Sequence, residues 1–175
     1  SVRKNLRRAN HALAPKNFLV FSNDAGLPGC PAKLACDDDE STVWRTGSNN
    51  AYLEVLTPQE IGIREIELVF PSNPKEIPEH FTISAKRNGA WEPIAEKSNN
   101  KQRKCAFTFP EQVTSQSLRF TCHKAPSYTH GMAEFRIFSD DSPGAFPQER
   151  NIANLAVVET SHRRYRPGDV SKAVD

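Results

Sequence analysis

The stretch Ala35-Cys36-Asp37-Asp38-Asp39-Glu40-Ser41-Thr42-Val43-Trp44 places four consecutive acidic residues directly before two hydroxyl side chains. A hard cation such as Ca²⁺ prefers several oxygen ligands, and a tight loop can direct carboxylates and main-chain carbonyls towards one point. Asp37 and Asp39 are the candidate ligands within this run. The alternative is a solvated acidic loop capped by Ser41 and Thr42. The stretch therefore indicates either a structural cation site or an exposed charged loop.

On both sides of this stretch, apolar and polar residues alternate in short segments rich in β-branched and aromatic residues. Clusters of Pro, Gly, Asn and Ser separate the segments, and the 13 prolines disfavour long helices. Asn88-Gly89 predicts a hairpin, because both residue types tolerate positive φ. The pattern predicts an all-β, jelly-roll-like antiparallel β-sandwich of about eight strands. The predicted strands are 18–21, 52–56, 63–70, 81–85, 91–95, 105–109, 118–122 and 133–138.

Length and charge limit the classes of partner. The 175 residues suffice for one well-cored domain but not for two of similar size. The 23 Lys and Arg residues nearly balance 21 Asp and Glu residues, so the chain lacks the basic field that neutralises many phosphates. No apolar run approaches the length that crosses a bilayer. We expect neither a nucleic-acid partner nor membrane insertion.

The four cysteines leave several pairings open. Cys30 and Cys36 can close a small loop, and Cys105 faces Cys122 if segments 105–110 and 117–122 form a hairpin. Successive strands of a sandwich often belong to different sheets, which would separate the second pair. Free buried thiols that pack as small hydrophobes are the alternative. Zinc is disfavoured, because no cysteine pair has the spacing of a zinc knuckle.

A near-repeat suggests how the chain is divided. Ala9-Asn10-His11-Ala12-Leu13 near the start is echoed by Ala153-Asn154-Leu155-Ala156 near the end. Similar echoes follow both copies at comparable distances, although chance similarity among common residues is the alternative. The repeat predicts one β-sandwich module over residues 1–147, followed by a linker and the truncated start of a second similar module over residues 148–175.

The motifs together resemble the discoidin superfamily, which includes the coagulation factor V/VIII type C domains and many bacterial carbohydrate-binding modules. Residues 35–44 resemble the signature Ala-x-Asp-Gly-Asn/Asp-x-Ser-Thr-x-Trp of that superfamily. The other matches, in the expected order, are Tyr52-Leu53-Glu54-Val55, Ile66-Glu67-Leu68-Val69-Phe70-Pro71, Phe81-Thr82-Ile83-Ser84, Asn88-Gly89-Ala90-Trp91, Leu118-Arg119-Phe120 and Ala133-Glu134-Phe135-Arg136-Ile137-Phe138. The resemblance covers about residues 10–139 and implies the galactose-binding-like jelly roll.

The resemblance also implies a calcium ion in the signature loop. In the family, the loop binds calcium through its first aspartate, main-chain oxygens, the threonine hydroxyl and a glutamate of the last strand. By match, the ligands are the side chains of Asp37, Thr42 and Glu134, the carbonyls of Leu34 and Ala133, and the main chain of Asp39. Asp38 stands where the family has Gly, which strains the turn if that position needs positive φ, although Asp tolerates that region better than most residues. Such an ion is expected to be structural.

For the ligand site, the resemblance points to loops at the same end of the sandwich. Galactose-binding members use a His after the signature Trp, then an Arg and an Asn around the next Pro. This sequence has Arg45, Ser72 and Lys75 at or near those places, so the trio is not kept. Tyr128, in the loop before the last strand, is the candidate platform for stacking on a sugar, and Tyr52 is a second candidate.

Positive charge is the other expected property of this ligand site. Arg45, Lys75, His123 and His130 are expected to form a positively biased rim if the loops converge, although ordinary surface positions are the alternative. The resemblance assigns Trp44 and Trp91 to the core. The candidate ligand-binding residues are therefore Arg45, Tyr52, Ser72, Lys75, His123, Tyr128 and His130. We expect a glycan ligand, either galactose-like or acidic.

These observations favour a non-catalytic carbohydrate-binding module of a larger, exported, glycan-active protein. The expected location is extracellular, at the cell surface or periplasmic, and the expected partners include other domains of the same polypeptide. The alternatives are a discoidin domain that mediates protein contacts or cell-surface adhesion, and a spacer that has lost ligand binding. A hydrolase would need paired carboxylates or a nucleophile with an oriented base, and calcium accounts for most of the acidic candidates.

Overall fold

The computed structural model describes residues 13–48 and 50–139, which form an antiparallel β-sandwich of the jelly-roll type. Regular structure in this part of the chain consists of strands and three short 3-10 turns, at Pro15–Asn17, Ala32–Cys36 and Pro74–Glu76. The all-β prediction is confirmed. The strands are β1 (Leu19–Ser22), β2 (Trp44–Thr46), β3 (Tyr52–Val69), β4 (His80–Arg87), β5 (Ala90–Lys97), β6 (Lys104–Lys124), β7 (His130–Met132) and β8 (Glu134–Ser139).

Two long strands, β3 and β6, belong to both layers of the sandwich. The first half of β3 pairs with the second half of β6, and β1, β4 and β5 complete a five-stranded layer. The second half of β3 pairs with the first half of β6 and with β8, which gives a three-stranded layer. Register shifts between Leu56 and Ile61 and between Ile63 and Glu65 mark the change of layer, since such irregularities bend a strand.

Aromatic side chains fill the space between the two layers. The ring centroid of Phe81 lies 5.3 Å from that of Phe70, 5.4 Å from that of Phe120 and 6.0 Å from that of Phe107. Phe70, Phe81 and Phe120 are fully buried, as is Trp44. Truncating a ring in such a core costs about 3–5 kcal/mol of folding free energy. The prediction that Trp44 belongs to the core is confirmed.

Trp91, also predicted in the core, instead lies half-buried on the outer face of the five-stranded layer. There the Arg119 guanidinium lies 4.3 Å from the centroid of the Trp91 ring and 3.8 Å from that of Tyr52. Glu54 accepts a hydrogen bond from the same guanidinium at 3.0 Å. Trp91 fits the alternation of a strand, but its side chain lies on the face away from the core. The Arg119 guanidinium stacks on the ring there, and such a cation stabilises an aromatic ring outside the core.

The segments predicted at 52–56 and 63–70 belong to one strand, β3, and those at 105–109 and 118–122 to another, β6. Segments 105–110 and 117–122 therefore do not form the hairpin considered for them, and Cys105 does not face Cys122. All four cysteines are free thiols, and burial raises the pKa of Cys122 to about 12. The hairpin at Asn88-Gly89 is confirmed, with φ of 51° and 81° between β4 and β5.

A small sheet of two short strands, β2 and β7, was missed by the sequence analysis. Its register pairs Trp44 with Met132, Arg45 with Gly131 and Thr46 with His130. A Cβ atom added at Gly131 would lie 2.0 Å from the Trp44 carbonyl oxygen, so only glycine permits this close pairing. The close pairing of β2 and β7 therefore depends on Gly131 having no side chain.

The predicted boundary at residue 147 and the truncated second module over residues 148–175 lie outside the described residues. The first copy of the near-repeat, at residues 9–13, also lies mostly outside them. Within the described ranges, no helix is long and apolar enough to span a membrane.

Candidate functional site

The signature loop, residues 37–43, folds back on itself through its own polar groups. The Thr42 hydroxyl donates to Asp37 Oδ2 at 2.5 Å, and the Asp39 N–H lies 3.1 Å from Asp37 Oδ1. The Asp39 carboxylate turns the other way, accepting from the Ser41 N–H at 2.9 Å and from the Ser41 hydroxyl at 2.6 Å. These bonds lower the pKa of the Asp39 carboxyl. Asp37 and Thr42 therefore face one point, whereas the Asp39 side chain faces solvent.

Glu134, the first residue of β8, brings a second carboxylate to this point. Its Oε2 accepts from the Asp39 N–H at 3.0 Å, and the Asp37 carboxyl lies within hydrogen-bonding reach. Glu134 is fully buried, and its Oε1 has no hydrogen-bond partner. Burial and the neighbouring Asp37 raise the pKa of Glu134 to about 8. An unpartnered buried oxygen beside a second carboxyl is the environment that a bound cation would relieve.

The other predicted metal ligands lie next to the loop and to Glu134 in the chain. Leu34 lies in the 3-10 turn that precedes the loop, and Ala133 is fully buried between β7 and β8. Within the described ranges, no group of three or more His, Cys, Asp or Glu side chains is placed to hold a metal ion. A cation would thus rely on carbonyl and hydroxyl oxygens for its remaining ligands, and hard cations accept such ligands.

Asp38 has φ of 64°, so the position that is Gly in the family does adopt the left-handed region. The loop keeps this conformation with an aspartate, which populates it more readily than most residues.

Glu40 connects the loop to the three-stranded layer, a role that the sequence analysis missed. Its carboxylate lies 3.0 Å from the Arg136 guanidinium on β8 and 3.4 Å from Lys104 Nζ on β6. Arg136 also contacts Glu67 on β3 at 3.2 Å. Arginine can contact two carboxylates at once through its planar fork of donors. The residues of the acidic run therefore have different roles: Asp37 faces the buried Glu134 carboxyl group, and Glu40 pairs with cations of the three-stranded layer.

A second feature, the Tyr128 pocket, lies beside the loop between β6 and β7. This open cavity of about 470 Å³ is bordered by Asn50, residues 122–128 and His130. Tyr128 has 76% of its surface exposed, and Phe21, at 45%, is the other large hydrophobic residue that is exposed in residues 13–48 and 50–139. An exposed aromatic ring surrounded by hydrogen-bonding groups is a common feature of sugar-binding sites.

Three of the seven predicted ligand-binding residues, His123, Tyr128 and His130, border this pocket. Lys75 is adjacent, since its carbonyl accepts from the Ser127 hydroxyl at 3.0 Å. Ser72 is exposed but does not border the pocket, and Tyr52 lies on the outer sheet face against Arg119. Residues of the pocket that the sequence analysis did not select are Asn50, Cys122, Lys124, Ala125, Pro126 and Ser127.

His130 does not contribute the rim charge that was expected of it. The side chain is buried, its Nε2 lies 3.3 Å from the Ser48 carbonyl, and its ring packs edge-on against Trp44 with centroids 6.0 Å apart. Burial lowers the pKa of His130, so the ring is neutral at pH 7. His130 therefore forms the wall of the pocket as an uncharged residue.

Arg45 likewise does not supply free charge. Its guanidinium lies 3.0 Å from the Glu76 carboxylate and donates to Cys30 Sγ at 3.8 Å. Arg45, which was predicted to contact a ligand, is thus paired with Glu76. The predicted positive rim requires other residues.

The two-layered strand arrangement places the chain among the jelly-roll β-sandwiches. The chain belongs to the F5/8 type C, or discoidin, domain family, whose model matches residues 20–135. A comparison with curated proteins finds no match in sequence.

Solved structures with the same fold include several carbohydrate-binding modules. The family 32 module of Clostridium perfringens NanJ, in complex with galactose, has a TM-score of 0.69 at 18% identity and covers 74% of this chain and 98% of that one. The paired modules of C. perfringens ZmpB, in complex with GalNAc, have a TM-score of 0.67 at 16% identity and cover 90% and 41%. Chitosan-binding module 1 of a Paenibacillus sp. IK-5 chitosanase/glucanase has a TM-score of 0.66 at 16% identity and covers 74% and 99%.

Proposed function

We propose that this chain is a non-catalytic carbohydrate-binding module of a larger, exported, glycan-active protein. The observation that supports this most strongly is the Tyr128 pocket, in which an exposed ring stands beside hydrogen-bonding side chains in a fold whose solved examples include sugar-bound modules. A sugar ring would stack on Tyr128, and Asn50, Ser127 and His123 would contact its hydroxyl groups.

The positions of the carboxyl groups support a non-catalytic role. Glycoside hydrolysis uses two carboxyl groups that flank the scissile bond. Among the described residues that border the Tyr128 pocket there is no Asp or Glu. Asp37 of the signature loop and Glu134 of β8 form a carboxyl pair, but Glu134 is fully buried and cannot reach a substrate. The pocket would therefore hold a glycan without cleaving it.

The proposal includes a structural Ca²⁺ in the signature loop. Asp37, Thr42 and Glu134 would hold it with the main chain of Leu34, Asp39 and Ala133. Support comes from the unpartnered Oε1 of Glu134, which is buried against a second carboxyl group. The ion would neutralise this pair and stabilise the folded chain by binding to it alone.

The small β2–β7 sheet would connect the ion to the pocket. β2 follows the signature loop directly, and β7 ends immediately before Ala133 and Glu134. At the other end of the same three-residue ladder, Thr46 pairs with His130, which borders the pocket. Fixing the loop would therefore fix the ladder and the pocket wall. We also propose that residues 148–175 contain a linker and the start of a second similar module, as two such modules occur together in ZmpB.

A glycan array and affinity electrophoresis in gels containing polysaccharide test the proposal. We expect wild type to be retained by at least one glycan, and Tyr128→Ala to weaken that interaction about tenfold or more, which corresponds to about 1.4 kcal/mol. Phe21→Ala is the matched control, because it removes the other exposed aromatic ring without touching the pocket. Equal retention of wild type and Tyr128→Ala, or no retained glycan, would contradict the proposal.

A further inference from the structure

We infer that the Tyr128 pocket selects anionic glycans, which carry carboxylate or sulfate groups, with Lys124 and Lys75 as the specificity-determining residues. This inference rests on the proposed function and specifies the substrate class of the same pocket.

Four carboxylates near the pocket each have a partner in the protein. Glu76 is bound by Arg45 at 3.0 Å, and Glu96 lies 2.6 Å from His80 Nε2. Asp24, which faces His130, accepts from the Thr46 hydroxyl at 2.5 Å and from the Gly26 N–H at 3.0 Å. Glu79 lies 3.4 Å from Lys124 Nζ. The negative charges near the pocket are therefore committed to neighbours.

Among the described residues that border the pocket there is one lysine, Lys124, and no Asp or Glu. Lys75 is exposed and forms no ion pair among the described residues, and its main chain contacts Ser127 of the pocket. His123 borders the pocket and is exposed, and its ring contacts are Thr82 and His80 instead of a carboxylate. The lining of the pocket therefore carries a cationic side chain and no carboxylate, and the main chain of a further lysine, Lys75, adjoins it.

Lys124 can exchange its partner for a ligand. It borders the pocket, and 72% of its side chain is exposed. Exposed ion pairs contribute little to stability, so contact with Glu79 does not hold the ammonium group strongly. A ligand carboxylate or sulfate would offer a shorter, charge-assisted hydrogen bond, while the sugar ring stacks on Tyr128. A polycation such as chitosan would meet repulsion from the same groups.

The test uses pairs of glycans of which one member carries an acidic group that the other lacks: oligogalacturonate and its methyl ester, sialyllactose and lactose, and a sulfated and an unsulfated galactan oligosaccharide. Affinities are measured by isothermal titration calorimetry at 50 and 500 mM NaCl. We expect an acidic member to bind at least tenfold more tightly than its neutral counterpart at low salt, and the ratio to shrink at high salt because exposed charges are screened. Chitosan oligosaccharides should bind more weakly than either.

Variants assign the effect to named residues. Lys124→Met and Lys75→Met should each reduce affinity for the acidic glycan threefold or more and leave the affinity for the neutral one unchanged. Glu79→Gln should increase the affinity for the acidic glycan, because it releases Lys124 from its partner. Lys101→Met is the control, since it removes the same charge from an exposed position that does not border the pocket.

The outcomes separate this inference from the proposed function. Neutral glycans that bind as tightly as acidic ones, through Tyr128, would overturn the anionic selectivity and leave the module intact. An acidic preference that Lys124→Met and Lys75→Met do not change would overturn the assignment of these residues. If no glycan of either kind binds, both the proposed function and the inference fail.

Discussion

The Asp39 N–H donates to Glu134 Oε2 at 3.0 Å and so joins the signature loop to the start of β8, 95 residues further along the chain. This bond connects the entry to β2 with the exit from β7. The acceptor is a fully buried carboxyl group whose other oxygen has no partner. The stability of this end of the sandwich should therefore respond to cations, to pH and to the geometry of the loop.

The first prediction concerns calcium. If Ca²⁺ binds the folded chain alone, a concentration 100 times its Kd stabilises the fold by about 2.7 kcal/mol. The melting temperature, measured by calorimetry, should therefore rise on adding CaCl₂ and fall on adding EDTA, and Asp37→Ala or Glu134→Gln should remove both responses. Asp39→Asn is the control, because the Asp39 carboxylate is bonded to Ser41 and faces away from the buried pair. A wild type that is indifferent to both reagents would exclude the ion.

The second prediction concerns pH in the absence of divalent ions. The pKa of Glu134 rises from 4.5 to about 8 in the folded chain, so the folded state holds its proton more tightly than the unfolded state does. This contribution to stability is complete below about pH 4.5 and is lost as pH rises to about 8.

Melting temperatures in EDTA at several pH values test this dependence. The lowered pKa of His130 acts in the opposite direction, since protonation at low pH favours the unfolded state. The difference between wild type and Glu134→Gln isolates the carboxyl group, and it should change steadily across this range. Added Ca²⁺ should restore stability most strongly near pH 8, where the carboxylate is ionised. A constant difference between the two proteins would refute the assignment.

The third prediction concerns Asp38, which has φ of 64°. Asp38→Val should destabilise the fold by about 1–2 kcal/mol, because a β-branched residue is poorly suited to the left-handed region. Asp38→Gly should be neutral or slightly stabilising, and Asp38→Asn, which tolerates the same conformation without charge, should resemble wild type. Urea denaturation measures the three free energies of unfolding. Equal stability of the Val and Gly variants would show that the loop relaxes.

The fourth prediction concerns Gly131. A methyl group there would lie 2.0 Å from the Trp44 carbonyl oxygen, so Gly131→Ala must push β2 and β7 apart. We expect a loss of about 1–3 kcal/mol, which is typical of inserting an atom into a packed site, together with a changed near-ultraviolet circular dichroism signal from Trp44. Gly47→Ala is the control, since the nearest atom to its added methyl is Leu27 Cδ2 at 3.9 Å. An unchanged protein would show that the small sheet is not closely packed.

The sequence predicted the two-residue alternation, the Asn88-Gly89 turn and the signature loop, because each depends on local chemistry. It did not predict that β3 and β6 are continuous. Pro58, Gly62 and Pro110 resemble strand ends in sequence, yet they lie inside these strands. Register shifts in β3 allow that strand to continue past Pro58 and Gly62. A proline can lie within a strand at a position where the pairing does not need its N–H.

The candidate site was predicted in part for a similar reason. Tyr128 and His123 were selected from a loop position, and both border the pocket. Lys124 was missed, because its proposed role in binding depends on its contact with Glu79 and on its position at the pocket. Both follow only from the tertiary structure. His130 was expected at the surface, but its place opposite Thr46 in the small sheet buries it against Trp44. The type of a residue alone does not show whether its side chain faces solvent or the core.

The continuity of β3 and β6 has a mechanical consequence. Neither layer can peel away from the other, because both are made from the same two strands. Amide hydrogens in the β3–β6 ladder should therefore exchange with solvent only when the whole domain opens. Loss of either layer would therefore require the other layer to open as well.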